Sequence, residues 1–284
     1  MIRFEYLEPT TIEEAIAMLS QHGEQARVLA GGTDLLIRMK ARQWRPQYVV
    51  NIKGIPGLSG ISQNGGGLSI GALTTVREVE TSPLVKQGCP SLAYAASQIG
   101  SIQVRNSATV GGNLCNAAPS AELAPPLLVL GASARIRGPQ GERSVPLEEF
   151  FTGPGRTVLG PGELLVALEV PAPVHGSSNA YLKHSPRRAM DIAVVGAAAW
   201  VLTENGICRD CRIALGAVAP TPLRARNAEA VLRGRPLTDE LLAQAGEAAM
   251  AECSPIDDIR GSAEYRREIV RVLTQRAVKQ AAGI

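Results

Sequence analysis

Leu29-Ala30-Gly31-Gly32-Thr33-Asp34-Leu35 closes a short run, Arg27-Val28-Leu29-Ala30, with two glycines and a polar pair. A stretch of the same build, Ala108-Thr109-Val110-Gly111-Gly112-Asn113-Leu114, lies well downstream. Glycine has no Cβ, so the backbone there reaches φ values other residues resist and its N–H groups can approach a charge closely. The run before Gly31 reads as a buried strand. Thr33-Asp34 reads as the cap of a helical run through Met39, leaving unpaired N–H groups beside the glycines. That geometry suits an anion, and two such turns predict one diphosphate held from both sides through main-chain nitrogens. Either turn alone would read as an ordinary tight turn. Neither is a Gly-x-Gly-x-x-Gly fingerprint and no Gly-x-x-x-x-Gly-Lys-Ser/Thr loop occurs, so a nucleotide held here needs another fold.

At 284 residues the chain is long enough for two domains with cores of their own. With aromatic residues at 4%, those cores are expected to be aliphatic. A net charge of +3, scattered and without a basic run, gives no footprint for nucleic acid. The longest uncharged apolar segment, residues 192–203, is too short to span a bilayer, and Met1-Ile2-Arg3-Phe4-Glu5 lacks a signal-peptide core; the expectation is a cytoplasmic chain. Five cysteines, an odd number, fit a reducing compartment. Cys208-x-x-Cys211 lacks a second pair to complete a metal site and reads as two unligated thiols; Cys89 and Cys253 read the same way, and Cys115 as packing.

Taken in order, residues 3–7 read as a strand and Thr11-Ile12-Glu13-Glu14 as a capping box opening a helix that ends at Gly23. Strand 28–30, helix 34–42 and strand 48–52 follow, which predicts a small parallel sheet with the first glycine turn at the carboxyl edge of a central strand. Residues 60–62 and 68–71 pair across Asn64-Gly65-Gly66. Thr75 caps a helix through Glu80, Ser91 opens one through Ile99, and 121–130 reads as an apolar helix with Pro125-Pro126 in its first turn. A hairpin at 135–145 and a strand at 163–170 close this second lobe. The Pro, Gly and Ser-rich stretch 171–178 is the clearest linker. Beyond it come three antiparallel strands, 179–184, 193–203 and 211–219. Helices at Arg226–Leu232, 238–253 and 263–281 follow, predicting a sheet covered on one face by a bundle.

Ala30-Gly31-Gly32-Thr33-Asp34-Leu35, Gln103-Val104-Arg105-Asn106-Ser107-Ala108-Thr109-Val110-Gly111-Gly112-Asn113, Gly153-Pro154-Gly155-Arg156, Ile213-Ala214-Leu215-Gly216-Ala217-Val218-Ala219 and Gly261-Ser262-Ala263-Glu264-Tyr265-Arg266-Arg267 together resemble the FAD-binding medium subunit of the molybdenum hydroxylases. That family includes the flavin subunits of aerobic carbon monoxide dehydrogenase and bacterial xanthine dehydrogenase. The resemblance implies an α+β fold: a two-lobed PCMH-type FAD-binding domain over 1–174, with a small parallel α/β lobe (about 1–55) and a mixed antiparallel lobe (56–174). A C-terminal flavoprotein domain over 178–284 carries a three-stranded antiparallel sheet and a three-helix bundle. The cysteine-rich insertion of the 4-hydroxybenzoyl-CoA reductase type is not present in the sequence.

The resemblance also implies a site. Val28, Leu29, Ala30, Gly31, Gly32, Thr33, Asp34 and Leu35 would line the FAD diphosphate, with the N–H groups of Gly31, Gly32 and Thr33 as donors. Thr109, Val110, Gly111, Gly112 and Asn113 would form the opposing wall, Thr109 offering its hydroxyl. Ile99 would pack on the adenine. Glu122, where the family usually has Asp, would approach the ribityl or ribose hydroxyls. Lys183, Asp191 and Ile192 would reach back to the flavin, Lys183 bringing positive charge that favours an anionic reduced ring and Ile192 covering a face without stacking. Read without the resemblance, Asn113 stabilises a turn, Glu122 favours a helix dipole and Lys183 is a solvated strand-end lysine. A branched side chain at Gly32 is expected to fill the diphosphate's space.

No Ser-His-Asp or His-Glu-x-x-His arrangement is visible, so no catalytic or metal-ligating residue is assigned. The implied role is electron transfer between a small subunit with two [2Fe-2S] clusters and an external acceptor, beside a large molybdopterin subunit, in a dimer of heterotrimers. Any membrane association would come through those partners. The competing readings are a self-sufficient flavoprotein oxidase or dehydrogenase, and a nucleotide-binding scaffold without redox turnover.

Overall fold

In the computed structural model, which describes residues 3–284, the first lobe is built from β1 (Glu5–Leu7), α1 (Ile12–His22), β2 (Ala26–Leu29), α2 (Leu35–Lys40) and β3 (Tyr48–Asn51). Met1 and Ile2, where the reading of the amino-terminal stretch begins, lie outside the described residues. The Thr11 hydroxyl caps α1 by accepting from Glu14 N–H, but the Glu14 carboxylate takes the N–H and hydroxyl of Thr10, so the expected box is displaced by one residue. Gly23 ends the helix at φ 49°. The sheet is parallel in the order β1-β3-β2. The strand that feeds the glycine turn is therefore an edge strand, not the central one expected. Val49 and Val50, 1% and 0% exposed, fit the order: β3 alone of the three carries no charged side chain, and it takes the position buried on both sides.

The second lobe runs through β4 (Ile61–Asn64), β5 (Gly67–Gly71), α3 (Val76–Thr81), α4 (Pro83–Gly88), α5 (Pro90–Ser97), α6 (Ile102–Arg105), α7 (Val110–Cys115) and α8 (Ala124–Val129). It continues with β6 (Ser133–Gly138), β7 (Gly141–Pro146), α9 (Leu147–Phe150), β8 (Phe151–Gly153), β9 (Arg156–Thr157) and β10 (Leu164–Val170). Its main sheet is antiparallel in the order β4-β5-β10-β6-β7. Gly65 and Gly66, at φ 55° and 83°, make the two-residue turn between β4 and β5. Thr75 and Glu78 form a complete capping box on α3. The two prolines shift the start of α8 to Ala124, where both fall in the first turn.

The remaining strands, β11 (Ser177–His184), β12 (Val195–Glu204), β13 (Ile207–Gly216) and β14 (Leu223–Arg224), form an antiparallel sheet in sequence order, so a two-residue fourth strand joins the three expected. Helices α10 (Arg226–Leu232), α11 (Asp239–Glu252) and α12 (Ala263–Ala282) cover one face. Strand alternation divides this sheet. Ala197, Ala199, Val201, Ile213 and Leu215 face the helices, while Tyr181, Ala198, Trp200 and Ala214 join the core of the second lobe. Both faces are thus buried, the second against α8. A Cβ on Gly196 would lie 2.6 Å from the Tyr181 hydroxyl oxygen and one on Gly216 would lie 2.9 Å from Pro125, so these glycines admit the ring and the helix.

Candidate cofactor-binding site

The first glycine turn forms where β2 leaves the sheet. Leu36 N–H donates to the Gly32 carbonyl at 3.1 Å and Arg38 N–H to that of Asp34 at 3.0 Å, so helical bonding begins inside the turn. The N–H groups of Gly31, Gly32, Thr33 and Asp34 have no partner among the described residues, and the Asp34 side chain does not cap α2. A run of orphan donors at a helix start carries partial positive charge. Gly32 sits at φ 76°, and a Cβ there would point at the Leu29 and Leu36 side chains, 3.1 Å away. The cost of a branched residue at 32 is therefore backbone strain and crowding of those leucines, a different cause from the one expected.

The second turn is built otherwise. Val110 N–H donates to Thr74 O at 3.0 Å, Gly111 N–H to Ala72 O at 2.8 Å, Gly112 N–H to Thr109 Oγ1 at 3.0 Å and Asn113 N–H to Thr109 O at 2.9 Å. With these four donors spent, the expected grip through main-chain nitrogens from both sides reduces to one side. Two of the four acceptors come from Thr109 itself and two from 72–74, a segment far away in sequence that crosses the start of α7. What the second turn offers is the Thr109 hydroxyl hydrogen, since its oxygen is already accepting. It also supplies a wall. A Cβ on Gly31 would lie 1.9 Å from Ser107 O and one on Gly111 would lie 2.7 Å from Ala72 O, so both glycines allow backbone to pack on backbone. Asn116 Nδ2 reaches Asp34 Oδ1 at 3.3 Å and ties the turns together, while its buried Oδ1 has no partner. Asn113 Oδ1 accepts from Leu123 N–H at 3.4 Å, a turn-stabilising contact.

Between the turns lies a cleft of about 620 Å³, within the usual size of small-molecule sites. Val28, Ala30, Gly31, Gly32, Thr33, Asp34, Leu35, Ile99, Thr109, Gly111, Gly112 and Asn113 line it. Leu29 and Val110 do not; they are 7% and 1% exposed and pack beneath the turns. Sequence reasoning missed Arg27, Trp44, Asn116 and Glu163, which also line the cleft. The guanidinium carbons of Arg38 and Arg27 lie 4.4 Å and 5.6 Å from the Trp44 ring centroid. Arg27 alternates with Val28 along a strand entering the turn, a signal that was available. Arg143 anchors Glu163 through two hydrogen bonds of 2.8 and 2.7 Å, which hold its carboxyl below the usual range. Burial pushes the Cys115 thiol in the cleft wall up to about 12, which makes it unreactive.

Glu122, Lys183, Asp191 and Ile192 do not line this cleft. Glu122 and Lys183 form a buried pair at 2.6 Å, and the Tyr181 hydroxyl donates a short hydrogen bond to the other Glu122 oxygen. Burial raises the pKa of Glu122 despite Lys183, and burial followed by Glu122 raises that of Tyr181. Lys183 Nζ spends its two further donors on Gln98 O at 3.1 Å and Asp191 O at 2.8 Å. Gln98 adjoins Ile99 in the cleft wall, so this ammonium joins that wall to the loop carrying Asp191 and Ile192. Asp191 pairs with Arg187 at 3.2 Å, and Ile192 is 47% exposed. The thiols of Cys208 and Cys211 are buried and free.

The sequence matches the family described as FAD binding domain in molybdopterin dehydrogenase over residues 2–173 and the CO dehydrogenase flavoprotein C-terminal domain over residues 180–281. The chain belongs to the FAD-binding subunits of the molybdenum hydroxylases. It is similar to the carbon monoxide dehydrogenase medium chain of Hydrogenophaga pseudoflava (37% identity, covering 98% of this chain and 97% of the relative). The putative xanthine dehydrogenase FAD-binding subunit of Escherichia coli (strain K12) is 36% identical, over 98% of this chain and 96% of its own. A solved Hydrogenophaga pseudoflava carbon monoxide dehydrogenase superposes with a TM-score of 0.96 at 39% identity, covering 99% of this chain and 98% of that one. This flavoprotein is thus an oxidoreductase subunit with FAD as its cofactor, and its relatives are medium subunits of multi-subunit complexes. Among the described residues no helix is long and apolar enough to cross a membrane. The residues present fit FAD: four orphan N–H groups for a diphosphate, a cleft of about 620 Å³ beside them, and a buried amide oxygen, Asn116 Oδ1, free to accept from a hydroxyl.

Proposed function

We propose that the chain takes electrons from the [2Fe-2S] clusters of a small partner subunit and delivers them to an external acceptor, in a complex completed by a large molybdopterin subunit. FAD, when bound, supplies the exchange between one-electron and two-electron carriers. The chain's own residues would bind and orient it. The N–H groups of Gly31, Gly32, Thr33 and Asp34 would hold the diphosphate oxygens, with the Thr109 hydroxyl as a donor from the other wall. Ile99 would cover the adenine from the cleft wall. The Glu122–Lys183 pair acts from behind: by holding Gln98 O and Asp191 O it fixes the loop that presents Ile192. We place the boundary between the FAD-binding and C-terminal units at 174–178, which the limits of the two family matches, 173 and 180, support.

The observation that carries this reading is the run of four unpartnered N–H groups opening into the cleft, in a chain of this family. The test is purification of the native complex with absorption spectroscopy and metal analysis. Equimolar flavin on this chain, with molybdenum and iron co-purifying on two further subunits, is the expected result. A colourless chain that purifies alone would defeat the proposal.

A further inference from the structure

A second hollow, of about 200 Å³, lies away from the cleft, where the segment between β10 and β11 and the start of α5 meet the buried face of the C-terminal sheet. Pro173, Ser178, Asn179, Trp200 and Arg212 line it, and Arg212 is its one charged lining residue. The guanidinium lies 4.8 Å from the Trp200 ring centroid, and Nη1 donates to Val129 O at 3.3 Å. No carboxylate among the described residues pairs with it. The acids nearby are committed elsewhere: Asp210 to Arg233 at 2.8 Å, Glu229 to Arg224 at 2.7 Å and to Arg233 at 2.9 Å, and Glu148 to Arg226 at 2.7 Å. Four guanidiniums thus meet three carboxylates, and the surplus charge is the one facing the hollow. Burial, the main influence on it, holds its pKa below the ordinary arginine value, so folding leaves this cation short of solvent and of a counter-charge.

The neighbouring groups are donors too. Asn179 turns Oδ1 to Ser91 N–H at 2.9 Å, which leaves its amide N–H groups without a partner among the described residues, and the Ser91 hydroxyl behind it is buried and likewise unpartnered among them. We infer that this hollow is a binding site for a small oxyanion of the phosphate or sulfate type, held by the Arg212 fork and the Asn179 amide. A planar guanidinium with free donors, flanked by an amide and short of a carboxylate, is matched to a multidentate oxyanion and repels cations. Occupancy there ties the 171–178 segment to the sheet.

The test titrates inorganic phosphate into FAD-loaded protein, so that the flavin site is filled, against chloride at matched ionic strength. Calorimetry and thermal unfolding are the readouts. Saturable binding with a rise in Tm is expected. Arg212→Met weakens the binding about tenfold or more, the loss of a charge-assisted hydrogen bond. Asn179 lies on the Arg212 face of β11, so Asn179→Asp keeps the acceptor for Ser91 N–H and turns the amide donor into a carboxylate oxygen in the hollow; it abolishes phosphate binding while keeping Tm without phosphate at or above that of the unsubstituted protein. Phosphate that acts no differently from chloride, or that binds Asn179→Asp as well as it binds the parent, overturns the assignment. Should Arg212→Met not fold, Asn179→Asp decides alone.

Discussion

Replacing Gly31 by alanine separates the two ways in which a glycine turn can serve a ligand. A Cβ at 31 would stand 1.9 Å from Ser107 O, with the Ser107 carbon at 2.8 Å, and both are backbone atoms that cannot rotate aside. Ordinary carbon–oxygen contacts begin at roughly 3.3 Å, so the turn must retreat from residues 107–108 by more than 1 Å. Overpacking of this kind costs about 1–3 kcal/mol. The same retreat carries the orphan N–H groups of Gly31 and Gly32 out of register with whatever they hold, since an N–H···O bond has little tolerance beyond ~3.2 Å. Two such bonds weakened by about 1 kcal/mol each lower FAD affinity roughly thirtyfold. Gly32→Ala is the control. Its Cβ is directed at the Leu29 and Leu36 side chains, and its cost is the left-handed backbone, about 1–2 kcal/mol, with the donors left where they are. Flavin fluorescence on dilution measures retention, and urea unfolding of the apoprotein measures stability. Gly31→Ala is expected to lose flavin well before Gly32→Ala at comparable stability. Equal retention, or the reverse order, would refute the view that Gly31 is required because a second backbone lies on it.

Lys183→Met leaves Glu122 buried with only Tyr181 as a partner and should lower stability by about 3–5 kcal/mol in urea unfolding, with part recovered by adding Glu122→Gln; a neutral Lys183→Met would show the pair to be dispensable. Glu163 is held below its usual value of 4.5, first by the Arg143 hydrogen bonds, so its contribution to stability is present above pH 4.5 and disappears as pH falls through the lower folded value. Arg143→Gln should therefore flatten the acid limb of the stability curve while changing little once the pH is below the lowered folded value, and superimposable curves would exclude that role.

Features written in local chemistry were legible in the sequence. The Gly65-Gly66 turn, the Thr75 cap and the span Arg226–Leu232 depend on neighbours within a few residues, and each appears as expected. Strand order was not legible, because Tyr48–Asn51 and Ala26–Leu29 each hold three apolar residues in four, and which of them is covered on both sides is a property of the assembled sheet. The glycine pairs looked alike for the same reason. Nothing near Gly111 announces that Ala72 and Thr74 will take two of the donors of α7, whereas the free donors at Gly31 to Asp34 were expected beside a helix start, which the expected Thr33-Asp34 cap does not close with a side-chain hydrogen bond from Asp34. The partnership of Glu122 with Lys183 spans 61 residues and two β-rich regions. The family pattern identified both positions, and only their meeting in space showed that each neutralises the other.

The C-terminal sheet has a consequence for how such a chain can be cut or recombined. Since Tyr181, Ala198, Trp200 and Ala214 complete a core that belongs mostly to residues before 171, severing the polypeptide near the linker would strip a greasy surface bare on both fragments. Modules joined in this manner travel through gene fusion as one inseparable piece, however clearly a proline-rich stretch seems to mark a seam.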